Sequence, residues 1–219
     1  MSKKILIVEG ETDKLFFATL LKKIRLSGVE IYPPRDMEGG GGNGVDNLKA
    51  ALGVTLKRVP VGTYERIGVV LDADYPDQHG FHVRRNMLVQ KFGEHGFSHS
   101  LSLAQVVGRG EMHEHSNFSA KCGFWVMPDH HNDGMAESLI IAAAEQGQKP
   151  LLAHAKKAVQ GIKEPLFNKT HTDKAVLSTW LAWQKWAGMP LEKAVERDVV
   201  DVTADKFPQL CSWLQQMYS

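Results

Sequence analysis

Three acids in this chain end apolar runs. Glu9 follows Ile5-Leu6-Ile7-Val8, while Asp72 and Asp74 follow Ile67-Gly68-Val69-Val70-Leu71. An unbroken, largely β-branched run of this kind reads as a strand buried on both faces of a parallel sheet. An acid at its end lies at the sheet edge where open α/β folds bind ligands. Burying a carboxylate there is costly unless it is paired or bound to a metal. On an extended strand, Asp72 and Asp74 project to one face, about 7 Å apart. Like charges at that separation both stay ionised at neutral pH only with a cation between them. Oxygen donors without a thiolate favour Mg2+ or Mn2+.

Asp13 and Glu137 add two carboxylates, each in the first turn of an expected helix, where the helix dipole is a sufficient alternative reason for an acid. If the first and third strands are neighbours, Glu9, Asp13, Asp72, Asp74 and Glu137 converge on one edge. That set suffices for a two-metal centre that activates water and stabilises the leaving oxygen of a phosphodiester.

The elements that would position these residues alternate in type. Strands are expected at about Lys4–Val8, Val29–Tyr32, Ile67–Leu71 and Phe124–Met127. Helices are expected from about Thr12 to Leu26, Asp46 to Leu56, Phe81 to Phe92 and Met135 to Glu145. Asp13, Phe17, Leu20 and Ile24 share one helical stripe. Ser98–Val107 reads as an indistinct strand, and Gly108–Lys121, polar and rich in Gly and His, as a loop. From Pro150 the pattern is helical: about Leu151–Ile162, Asp173–Ala187, Leu191–Glu196 and Pro208–Met217. Strand–helix alternation followed by helices alone predicts an α/β unit over residues 1–148, its strands forming a mostly parallel sheet flanked by helices. A helical C-terminal extension over residues 149–219 packs on the same domain.

With 219 residues, 43% of them hydrophobic, the chain can bury a substantial core. Its 26 basic and 25 acidic residues leave a formal charge of +1, so no global excess announces a nucleic-acid binder. Two cysteines, Cys122 and Cys211, lack CxxC spacing, which argues against a disulfide framework and for a reducing cytoplasm. No run is long and apolar enough to suggest a signal peptide or membrane span.

Val8-Glu9-Gly10-Glu11-Thr12-Asp13 followed by Val69-Val70-Leu71-Asp72-Ala73-Asp74 resembles the Toprim signature, a glutamate after the first strand and a DxD after the third. Trp125-Val126-Met127-Pro128-Asp129 with Gly134 and Glu137, and Asp173-Lys174-Ala175 leading into Thr179-Trp180-Leu181-Ala182-Trp183, are more particular. They resemble a small stand-alone bacterial family of unknown function in the Toprim clan, related to the catalytic domain of OLD-type nucleases. The resemblance implies a Toprim fold with a Rossmann-like sheet, divalent metal and a nuclease acting on the phosphodiesters of DNA or RNA. Glu9, Asp72 and Asp74 match the core metal positions, with Asp13 and Glu137 as OLD-like additions and Lys174 as the lysine that follows the acidic motifs. Lys174 shares a stripe with Leu177 and Leu181, so its ammonium can neutralise charge developing on a phosphate; a lysine snorkelling from a packed face is the plainer alternative. The chain has no ATPase module of the kind joined to OLD proteins, which makes a separately encoded ATPase partner an expectation.

Two other classes fit the same residues: a module that binds metal, nucleic acid or a protein without turnover, and a metal-dependent phosphatase-like hydrolase. His113-Glu114-His115 and His130-His131 lack HExxH spacing and read as solvated loop histidines. Asp129 and His130 stand close enough to the expected strand end to support the site or move a proton. Trp180, Trp183 and Trp186 either stack bases or belong to the core. Arg84 and Arg85 meet phosphate or form a solvated face. The glycine run Gly39–Gly44 is a flexible loop or a loop that lets backbone N–H groups approach a phosphate.

Overall fold

The structure, a computed structural model, describes residues 2–75, 79–99 and 109–219. Six strands form one sheet: β1 (Lys3–Ile7), β2 (Val29–Tyr32), β3 (Tyr64–Asp72), β4 (Phe97–His99), β5 (Glu111–His115) and β6 (Lys121–Met127). Their spatial order is β2-β1-β3-β6-β5-β4. The first four in that order run parallel, and β5 and β4 add an antiparallel edge. The eight helices among the described residues are α1 (Glu11–Lys23), α2 (Val45–Leu56), α3 (Gly80–Gly93), α4 (Ala136–Gly147), α5 (Lys149–Gln160), α6 (Thr172–Ala182), α7 (Leu191–Glu196) and α8 (Phe207–Tyr218).

The apolar runs are continuous because both faces of the sheet are covered. Leu6, Val8, Val70, Trp125 and Met127 face one core, shared with α1 and the helices α4 to α8. Ile5, Ile7, Val69, Leu71, Phe124 and Val126 face the other, shared with α2 and α3. Helix α8 approaches the first face closely over two glycines paired in register, Gly68 and Gly123. A Cβ on Gly68 would stand 2.2 Å from the Tyr218 hydroxyl, which donates to the Ile5 carbonyl at 2.6 Å. The mid-strand glycine is therefore the cavity into which the helix fits.

Several expectations need correction. Within the region expected to be a loop, Glu111–His115 form a strand, because Glu111, Met112 and His113 are all buried there. Its polar side chains find partners inside the fold, which strand alternation alone does not reveal. Of the indistinct stretch Ser98–Val107, residues 98 and 99 belong to β4, and 100–107 lie outside the described residues. Helix α6 ends at Ala182, five residues early: Trp183 caps it with φ −97° and ψ 5°, and Gly188 and Pro190 follow. Cys122 and Cys211 are both free. No helix among the described residues is long and apolar enough to cross a membrane.

Candidate active site

The chain runs from β1 outward to β2, then returns to place β3 on the other side of β1. The carboxyl ends of β1 and β3 therefore flank the point where the winding reverses, the crevice in which such sheets bind ligands. Glu9 lies two residues beyond β1, and Asp72 is the last residue of β3.

Each remaining residue reaches this crevice for a local reason. Asp13, in the first turn of α1, accepts the Gly10 N–H at 3.0 Å, half of a capping box. Asp72 accepts the Ala136 N–H at 2.9 Å, which sets the N-terminus of α4 against the end of β3 and brings Glu137 to the same edge. Both acids thus serve helix ends as well as any ligand. The glycine run is folded against the same turn: Gly44 donates to the Glu9 carbonyl at 3.1 Å. A Cβ on Gly40 would fall 1.7 Å from the Pro34 carbonyl oxygen, so that approach requires glycine.

Asp74 does not sit where strand alternation would put it. The strand stops at Asp72, and Asp74 takes a left-handed φ of 61°, exchanging backbone hydrogen bonds with Gly134 at 2.9 and 2.8 Å. Its carboxylate meets Arg84 at 2.6 Å. Arg84 is buried, not part of a solvated face, and its Nε has no partner. A sequence signal for it existed, since Phe81, Arg84 and Leu88 form one stripe (i, i+3, i+7) whose apolar members are both buried.

The electrostatics report how closely these groups gather. Burial pushes the Glu9 carboxyl up to about 8, with Asp13 and Asp74 adding to the rise and Arg84 and Lys174 opposing it. Asp13 rises to about 6 through burial and Glu137, against the Gly10 hydrogen bond and Lys174. Asp72 is driven well above the carboxylate range by burial and by Glu9, Asp13 and Glu137. Asp72 thus lies within charge range of Glu9, Asp13 and Glu137, Asp13 within range of Glu9 and Glu137, and Asp74 bears on Glu9. Lys174, exposed in the first turn of α6, bears on Glu9 and Asp13.

The start of α6 beside Lys174 is held through Asp173 by two residues that the sequence did not single out, Ser138 and Tyr75. Asp173 accepts the Ser138 hydroxyl at 2.6 Å and the Tyr75 hydroxyl at 3.2 Å. These bonds tie the start of α6 to α4 and to the segment following Asp74. Ser and Tyr hydroxyls are too common for sequence to single them out.

Among the described residues, no three His, Cys, Asp or Glu side chains stand as a ready ligand set. Asp13, Asp72 and Asp74 each direct an oxygen to a protein donor. Glu9 is different: its Oε1 is buried and has no partner at all. An orphaned carboxylate oxygen among further carboxylates, opposed by the charges of Arg84 and Lys174, is a donor set suited to a hard divalent ion.

The histidines belong elsewhere. His113 and His130 are buried beside Glu111, with Nε2 3.5 and 3.8 Å from its oxygens. His130 accepts the Val126 N–H at Nδ1, so its proton sits on Nε2 when neutral. The charges that act on it are Glu111, Arg85 and Asp129, not the acids of the crevice. Asp129 turns its oxygens to the Asn132 side chain and the backbone of residues 131 and 132. Arg85 pairs with Glu111. Trp180 is buried, whereas Trp183 and Trp186 are exposed.

Fold and crevice together define an α/β protein with an acidic centre at the winding reversal of its sheet. Residues 3–219 match a single family model, and the chain belongs to that family, described as protein of unknown function (DUF3226). It matches no curated protein and no solved structure.

Proposed function

We propose that this chain is a divalent-metal-dependent phosphodiesterase acting on nucleic acid. The observation that carries the reading is the partnerless, buried Oε1 of Glu9, surrounded by carboxylates at the carboxyl edge of β1 and β3. Glu9, Asp72 and Asp74 would hold Mg2+ or Mn2+, with Asp13 and Glu137 completing the oxygen set. Held there, such ions would supply an activated water and charge neutralisation at the leaving oxygen. Asp74 would exchange its ion pair with Arg84 for the metal, freeing a buried guanidinium for a phosphate oxygen. Lys174, fixed by Asp173, neutralises charge on the non-bridging oxygens as they become more negative. The Toprim-like spacing of Glu9 with Asp72 and Asp74, and the OLD-like lysine, support the same reading. A separately encoded ATPase acting with this chain belongs to the proposal, and co-purification of an ATP-hydrolysing protein tests it.

Purified protein is incubated with supercoiled plasmid, linear DNA and single-stranded RNA in Mg2+, Mn2+ or EDTA. Cleavage that needs metal and disappears in both Glu9→Gln and Asp74→Asn is the expected result. Cleavage that persists in both variants means the residues are wrong. Metal binding without cleavage favours a non-catalytic binding module, for which the Asp74–Arg84 pair speaks, since it satisfies one acid without metal.

A further inference from the structure

The chain's near-neutral charge conceals a strong internal division. Residues 149–186 contain seven lysines and two acids, a net charge of +5, so the remaining residues carry −4 of the overall +1. This basic segment is the hairpin of α5 and α6 with the turn after it. Asp173, one of its two acids, is engaged with Ser138 and Tyr75.

A groove on this hairpin is lined by Leu151, His154, Lys157, Ala158, Ile162 and Trp183, together with Gly161, and by no carboxylate. Trp183 and Ile162 are 46% and 48% exposed. Beyond them Trp186, 42% exposed, lies under the Lys185 ammonium at 5.0 Å and the Arg197 guanidinium at 4.4 Å. Exposed aromatic rings interleaved with cations are what a flexible polyanion with planar bases requires: faces on which to stack and charges to follow its backbone. A docked protein helix would want a broader aliphatic surface without cations at its centre.

Helix α6 connects this groove to the crevice. Lys174 stands in its first turn beside the acids, and Trp183 caps its far end, about 14 Å away along the axis.

We infer that the α5–α6 hairpin is a single-stranded nucleic-acid-binding surface, with bases stacking on Trp183 and the backbone meeting Lys157, feeding a strand toward the acidic crevice. This rests on the reading of the crevice as a nucleic-acid phosphodiesterase, and its test separates the two.

Fluorescein-labelled single-stranded oligonucleotide is titrated in EDTA, so that no turnover intervenes, and anisotropy is followed across a salt series. Duplex DNA and anionic lipid vesicles are the comparison ligands. The wild type should prefer the single strand. Trp183→Ala should weaken binding about fivefold to a hundredfold, and Trp183→Phe should restore most of it. Lys157→Gln should lower the salt slope by about one ion. Because Trp183 and Lys157 lie at the surface, circular dichroism should be unchanged in each variant. In parallel, Mn2+-dependent hydrolysis of bis(p-nitrophenyl) phosphate, too small to use the groove, should survive Trp183→Ala and vanish in Glu9→Gln. Single-strand binding that Trp183→Ala leaves intact overturns the groove while ester hydrolysis keeps the centre. Trp183-dependent binding without any ester hydrolysis upholds the groove and sinks the centre. Vesicle binding in place of oligonucleotide binding overturns the groove.

Discussion

Helix α3 places adjacent arginines on two carboxylate sites that behave in opposite ways. Arg84 meets Asp74 in the acidic crevice; Arg85 meets Glu111 at the junction of β5 and β6. Burial pushes the Glu111 carboxyl up, but His113, His130 and Arg85 outweigh it and hold the group far below the carboxylate range. In the crevice, burial is reinforced by neighbouring carboxylates, and Glu9 rises instead. Glu111 Oε2, like Glu9 Oε1, is buried without a hydrogen bond. What separates the sites is that Glu111 has Arg85 and two imidazoles around it, whereas the crevice gathers further carboxylates. A fold gains from the first arrangement. The second is tolerated where something outside the chain completes it.

The sharpest way to break this contrast is to remove each acid's charge in turn. Glu111→Gln leaves Arg85 without its counter-charge and should destabilise the fold by about 3–5 kcal/mol, read by urea unfolding. Glu9→Gln should act in the opposite direction. A folded-state pKa raised from 4.5 to about 8 means the folded protein holds its proton longer than the unfolded chain. The associated stability is fully present below about pH 4.5 and is lost as pH rises through about 8. In EDTA at pH 8, Glu9→Gln should therefore be more stable than wild type by on the order of 4 kcal/mol, and the two should converge near pH 4.5. If both substitutions destabilise equally at pH 8, the two sites are not different in kind.

Metal sharpens the same comparison. Saturating Mn2+ at a hundred times its Kd should stabilise wild type by about 2.7 kcal/mol at pH 8. The gain should shrink at pH 5, where protons compete, and disappear in Glu9→Gln and Asp72→Asn. Glu111→Gln should keep whatever gain its folded fraction shows. The smallest effect on stability is expected from Asp173→Asn, about 1 kcal/mol, because the amide oxygen still accepts. Its consequence should appear instead in turnover, about tenfold slower as Lys174 loses its fixed position, while Mn2+ binding by calorimetry stays unchanged.

Much of the crevice was legible because its logic is local. Glu9 and Asp72 stand at the ends of apolar runs, and Asp13 and Glu137 at the starts of helical ones, so period and punctuation place them. Other features depend on partners far away in sequence. Asp74 leaves the strand pattern because its backbone pairs with Gly134. Glu111 and His113 read as solvated until Arg85 and His130 arrive from other elements. Arg84 looks like a surface residue unless its apolar stripe is weighed against its charge. Helix α6 stops short of its apolar pattern, with Trp183 turned out to solvent. Local rules identify where an acid sits; they do not identify what will neutralise it.

The hydrogen bond from Tyr218 to the Ile5 carbonyl joins residues 213 positions apart. Contacts of such separation close the largest possible loops and form slowly. During synthesis, β1, β3 and β6 will have emerged long before residues 207–218 arrive to cover Leu6, Val70 and Trp125. The acids at the tips of those strands are thus made early but held apart from a finished fold until the last helix docks over Gly68 and Gly123. Translation itself delays the moment at which this face of the sheet is closed.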